Sequence, residues 1–217
     1  MAQKITALKV QKKNTARINI YLDDEFAFGL SRVTATWLSI GQELSQDDIT
    51  KLKAEDEIEV AYQRALNYLS YRVRTVAEVQ EKLSSLEYTK EVIKVVTTRL
   101  MEKGYLDDRQ FAETWVENRS TFRPRSHRLL NWELRNKKVN QTIIDEIITN
   151  SEPDEALARA AAEKYIRRLR DLDRQAFFRR LGGFLGRRGF TYDVISTVVK
   201  ECWAQVENKN LKMEMDE

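Results

Sequence analysis

Two short segments place guanidinium groups where they could hold phosphate: Arg72 with Arg74, and Arg123 with Arg125, each an Arg-x-Arg directly ahead of an expected helix start. A helix N-terminus carries partial positive charge and a guanidinium can grip two phosphate oxygens at once, so this pairing suits anion binding. Residues able to make or break bonds are scarce. His127 is the one histidine, between Ser126 and Arg128, and no nucleophile or carboxylate stands at a spacing that supplies it with a partner. Cys202 is the one cysteine; it cannot form an internal disulfide or a Cys/His zinc cluster, and reads as a small apolar residue of a C-terminal helix. Asp23, Asp24 and Glu25 are consecutive and point in different directions, which makes them a solvated turn rather than a metal site. The segment GGFLGRRG, residues 182–189, could let backbone approach a phosphate, but it lacks the Lys-Ser/Thr ending of a Walker motif and reads as helix packing or a helix end. No enzymatic reaction, metal or cofactor is expected.

The charge pattern favours a polyanionic partner. A net charge of +3 conceals seven basic side chains against Glu133 alone in residues 119–140, five acids and no base in 141–158, and ten bases against three acids in 159–190. Clustered Lys and Arg attract nucleic acid through phosphate contacts and counterion release, or attract an acidic protein surface. Arg128, Arg135, Lys137 and Lys138 extend the first basic stretch. Arg167, Arg168, Arg170, Arg179, Arg180, Arg187 and Arg188 form the second. No run of 18 apolar residues and no leader pattern occurs, so a cytoplasmic protein without a membrane partner is expected.

These side chains must be positioned by a repeated unit. At a shift of 51 residues Leu83, Leu134 and Leu185 coincide, as do Val79, Leu130 and Leu181, then Val96, Ile147 and Val198. Such a period marks a tandem array of one small supersecondary unit whose members bury apolar faces against each other. The fold class is therefore mainly α: three tandem three-helix, helix-turn-helix-like repeats in an elongated array, with a small N-terminal β-hairpin or three-strand sheet before it. We divide the chain into a β extension with a short helix (1–48), repeats at 49–105, 106–150 and 151–206, and a flexible tail (207–217). The short helix is placed at 31–39, closed by Gly41. Ser45 caps a long helix reaching about Ser70, and Thr75 with Glu78 forms a capping box. Helices then follow near 90–103, 107–120, 126–137, 141–149, 153–170, 174–186 and 192–206.

The middle repeat departs from its neighbours. Leu129 stands where repeat one has Glu78, and Trp132 where it has Glu81, giving an added apolar face. This face either packs against an adjacent repeat or makes Trp132 a partner anchor, able also to stack on an unpaired base. Trp37, Trp115 and Trp203 follow helical apolar spacing and are assigned to the core.

Residues 66–83 (LNYLSYRVRTVAEVQEKL), 99–119 (RLMEKGYLDDRQFAETWVENR), 123–139 (RPRSHRLLNWELRNKKV) and 179–195 (RRLGGFLGRRGFTYDVI) resemble the RecX family of bacterial regulators of the RecA recombinase. Residues 5–30 are similar to the β extension of some members. The resemblance implies a monomeric, non-enzymatic modulator, and more often an inhibitor, acting in DNA recombination, repair and the SOS response. Its partners would be the RecA filament and single-stranded DNA, with weaker binding to duplex DNA. The binding residues read from the Arg-x-Arg pairs, the basic stretches and the added apolar face are Arg72, Arg74, Arg123, Arg125, Arg128, Trp132, Arg135, Lys137, Lys138, Arg179, Arg180, Arg187 and Arg188. Reversing charge at Arg123 and Arg125 is then expected to weaken filament binding without unfolding the chain. A helix-turn-helix-like duplex-binding transcription regulator and a pure protein-interaction scaffold are the alternatives.

Overall fold

A computed structural model describes residues 2–169 and 171–215, with side chains through residue 208. It divides into two compact units, Met1–Asp107 and Asp108–Glu217. Arg170 lies outside the described residues, as do 216 and 217 of the expected tail.

The first unit opens with four antiparallel strands, β1 (Gln3–Val10), β2 (Arg17–Leu22), β3 (Glu25–Ser31) and β4 (Glu43–Leu44), in the order β3-β2-β1-β4. Alternation dictates the buried face: Ile20 and Leu22 on β2 pair with Phe28 on β3 and Ile5 on β1, and all are buried. The acidic turn is tighter than expected. Asp23 and Asp24 alone form it, both with positive φ, while Glu25 already pairs with Leu22. The expected helix at 31–39 is only one 3-10 turn, Thr34–Trp37, and β4 follows Gly41. Trp37 is therefore not a core residue. It is 87% exposed, because a single turn has no second face-to-face contact to bury an indole.

Nine helices follow among the described residues: α1 (Gln46–Leu69), α2 (Val76–Ser84), α3 (Lys90–Glu102), α4 (Asp108–Phe122), α5 (His127–Asn136), α6 (Gln141–Thr149), α7 (Asp154–Ile166), α8 (Arg174–Gly186) and α9 (Tyr192–Met215). Their starts obey local chemistry, with capping boxes at Ser45/Asp48 and Thr75/Glu78. Helix α7 ends at Ile166, short of the expected 170, whereas α9 runs past the expected end at 206. The 51-residue period reappears in the backbone. Glu87, Lys138 and Gly189, each just after the second helix of its repeat, all adopt the left-handed conformation that closes a helix.

Each repeat closes its own core. Val79, Leu83, Val96 and Leu100 cluster in repeat one, Leu130, Leu134 and Ile144 in repeat two, and Phe177, Leu181, Leu185 and Val198 in repeat three. The aligned apolar positions thus pack within a module, not between modules as a solenoid would have them. Buried acids then tie elements together. Asp56 of α1 accepts from Arg17 Nη2 at 3.1 Å and from the Ser31 amide, and Glu59 accepts from Arg99 Nη1 at 2.8 Å.

Candidate nucleic-acid interface

The connection between α4 and α5 carries Arg123, Pro124, Arg125 and Ser126. Proline ends the run of helix, and Ser126 starts the next by accepting from the Leu129 amide at 3.2 Å. The backbone of the fully buried Ser126 also reaches repeat three, its N–H donating to the Arg188 carbonyl at 3.0 Å. Gly189 makes this approach possible: it has φ +88°, and a Cβ there would stand 2.5 Å from Ser126 Oγ and 2.9 Å from Leu129 Cβ. Leu129 therefore meets repeat three, which accounts for half of the added apolar face. We expect Gly189→Ala to cost about 2 kcal/mol, from left-handed strain plus overpacking, read as a lower urea midpoint at unchanged slope. An unchanged midpoint would contradict the close contact.

This junction brings two separate basic segments together. Arg125 is held below the usual guanidinium range first by burial and then by Arg119, Arg188 and Arg123; Arg188 is lowered by burial, then by Arg187 and Arg123. The cluster is held in place by apolar and acidic supports. The Arg188 guanidinium lies 3.7 Å from the centre of the Phe184 ring, which stacks on Tyr165 at 3.9 Å. Glu133, with only 7% exposure, accepts from Trp115 Nε1 at 2.7 Å and Arg119 Nε at 3.2 Å, and pairs with Arg125. Arg123, Arg187 and Arg188 form no ion pair among the described residues. Like charges gathered without a counter-charge favour a bound anion.

The aligned pair in the first unit is arranged differently. Arg72 pairs with Glu78 at 3.3 Å, while Arg74 lies 3.5 Å over the Tyr68 ring and donates to the Tyr68 carbonyl at 3.0 Å. Repeat two has Leu129 in place of Glu78, so Arg123 lacks the neutralising partner that Arg72 has. In both repeats the outer arginine is exposed and the inner one braces the fold. Reversing charge at Arg125 would therefore set a carboxylate against Glu133 and disturb the core; the expectation that Arg123 and Arg125 can be reversed together without unfolding does not survive this contact.

Arg179 and Arg180 are exposed on α8. Lys137 sits 5.8 Å from the Trp115 ring centre, and Lys138 is the exposed left-handed residue after α5. Arg128, Trp132 and Arg135 share a groove of about 760 Å³ along α5, and Trp132 is 61% exposed. Trp115 and Trp203 are half-buried against Phe111 and Phe177, at 5.6 and 5.2 Å between ring centres. His127 is a strut: its amide donates to Asp154 Oδ1 at 2.7 Å, and its Nε2 lies 2.8 Å from the Glu152 carbonyl oxygen. Cys202 is buried, which pushes its thiol up to about 11. Among the described residues no His, Cys, Asp and Glu group could hold a metal, and no helix is long and apolar enough to cross a membrane.

The residues that assemble the cluster, Ser126, Glu133 and Gly189, were not among the expected site residues. Glu133 carried a signal, being the one acid in a run of seven bases. Ser126 and Gly189 carried none that neighbours in sequence could reveal.

Comparison with known proteins follows the same division of the chain. The model of the Regulatory protein RecX N-terminal domain matches residues 3–45, and those of the first, second and third three-helix domains of RecX match 61–100, 107–148 and 153–199. Regulatory protein RecX of Bacillus subtilis (strain 168) is 33% identical over 210 residues, 95% of this chain and 78% of that protein. A crystal structure of regulatory protein RecX aligns with a TM-score of 0.71 at 27% identity, covering 90% of this chain and 98% of that one. The structure of RecX from Lactobacillus salivarius gives 0.59 at 26% identity, covering 68% and 97%. With a β extension, three three-helix modules and a one-third identical relative spanning nearly its whole length, the chain belongs to the RecX family of regulatory proteins.

Proposed function

We propose that this chain regulates the RecA recombinase without catalysing a reaction, by binding the recombinase filament on single-stranded DNA and limiting its extension or stability. The observation that carries the reading is the cationic cluster of Arg123, Arg187 and Arg188, built by two repeats and forming no ion pair among the described residues. Phosphates would supply the counter-charge, and such contacts are independent of base sequence. A ligand that prefers one state of a filament shifts assembly by its differential affinity, so binding alone suffices for regulation. The third helix of repeat two argues against the duplex-reading alternative. Helix α6 has no basic residue of its own and exposes Asp145, with Glu146 paired to Arg109, so it brings no cation to a groove lined by phosphates.

The test is a fluorescence-anisotropy titration of labelled single-stranded DNA, free and pre-assembled with RecA and ATP, beside a duplex of the same length, at two salt concentrations. Tightest binding to the filament is expected. Equal or weaker binding to the filament, with a preference for duplex, would overturn the proposal.

A further inference from the structure

We infer that the groove along α5 is a stacking site for an unpaired nucleic-acid base, with Trp132 as the platform. This rests on the proposal that the protein meets single-stranded DNA, and it assigns to one groove the recognition of exposed bases rather than of phosphates.

The face of α5 repeats at helical spacing. Arg128 is four residues before Trp132 and Arg135 three after it, so the two guanidiniums bracket the indole along about 10 Å of helix axis. All three side chains are exposed, and neither arginine has an ion-pair partner among the described residues. Trp132 has no packing role that explains it. The adjacent repeat is met by Leu129, against which Gly189 is placed, while the indole lines an open groove with Ile148 as the apolar wall. Asn131 and Asn136 add amide donors and acceptors to that groove, and His127 closes one end with its Nε2 engaged by the Glu152 carbonyl. No carboxylate lines it.

Each component matches one part of a nucleotide. A planar indole offers a stacking surface to any base, the flanking guanidiniums suit its two phosphates, and side-chain amides suit base edges. In a duplex the bases are already stacked on each other and their faces are covered. The site therefore selects single strands. An acidic protein segment would satisfy the arginines, but it would leave the flat indole and the amides without complementary chemistry.

The experiment uses the full chain and three probes: labelled oligothymidylate, an abasic strand of equal length, and a hairpin duplex closed by an abasic loop. Trp132→Ala is expected to weaken oligothymidylate binding about tenfold, with abasic-strand and hairpin affinities unchanged, and Trp132→Phe to restore most of the loss. Because the side chain is exposed, both variants should melt as the parent does; a lowered melting temperature would reveal a core role and overturn the inference. An equal loss on the abasic strand, or no loss on either, would also overturn it. So would polyglutamate competing for the parent but not for Trp132→Ala, which would reassign the groove to acidic protein. If the parent shows no preference for filament, the proposed function fails while stacking can still be read on the free strand. If filament preference persists and Trp132→Ala leaves oligothymidylate binding intact, only the stacking inference fails.

Discussion

Reversing charge at Arg123 and Arg187 together should weaken single-stranded DNA binding by about tenfold or more at low salt and flatten its salt dependence, by roughly 0.7 in the log-log slope for each phosphate no longer engaged. These two residues are chosen because both are exposed and neither braces the fold, unlike Arg125 on Glu133 or Arg188 on Phe184. They come from different repeats and act on the same cluster: Arg123 bears on both Arg125 and Arg188, and Arg187 on Arg188. Stability should hold or rise, since each reversal replaces like-charge repulsion by attraction. Arg179→Glu with Arg180→Glu, on exposed α8 positions outside that set, makes the control of equal charge change and should cost less affinity. Anisotropy at several salt concentrations reads both quantities. An unchanged slope in the first variant would remove the cluster from the interface.

Glu133→Gln should destabilise the second unit by about 3 kcal/mol. Its carboxylate is 7% exposed and engages three side chains, Trp115, Arg119 and Arg125, whose charged members are themselves about three-quarters covered. A carboxamide keeps the size and can still accept from the indole, but leaves two guanidiniums facing each other in a poorly hydrated site. Urea unfolding followed by circular dichroism measures the loss. The double change Glu133→Met with Arg125→Met should recover part of it, since one of the two guanidiniums is then removed and only Arg119 is left without its carboxylate. A single variant within about 0.5 kcal/mol of the parent would show that the carboxylate is not an anchor. The same variant tests the link from fold to function, because Arg125 freed from Glu133 no longer fixes the connection that presents Arg123.

Most helix boundaries could be read from neighbouring residues because capping acts within one turn. Ser45 with Asp48, Thr75 with Glu78, and Gly104 with φ +71° stand where their side chains or backbone freedom are needed. Where the reading failed, the deciding contact was distant. Strand β4 is two residues long and exists only because Glu43 and Leu44 pair with Lys4 and Gln3. Trp37 has core-like spacing, but burial depends on what packs above it, and nothing does.

The candidate interface divides in the same way. Residue types and the 51-residue period by themselves determined that the chain is a set of three-helix modules and that its cations gather in two stretches. Only the tertiary structure decided that Arg123 and Arg187 each come close to Arg188 while Arg74 and Arg125 brace the fold. The reason is that electrostatic neighbours are chosen by long-range contacts, here the Ser126 amide on the Arg188 carbonyl beside a glycine that lets them approach, whereas periodicity and capping are set by residues a few positions apart.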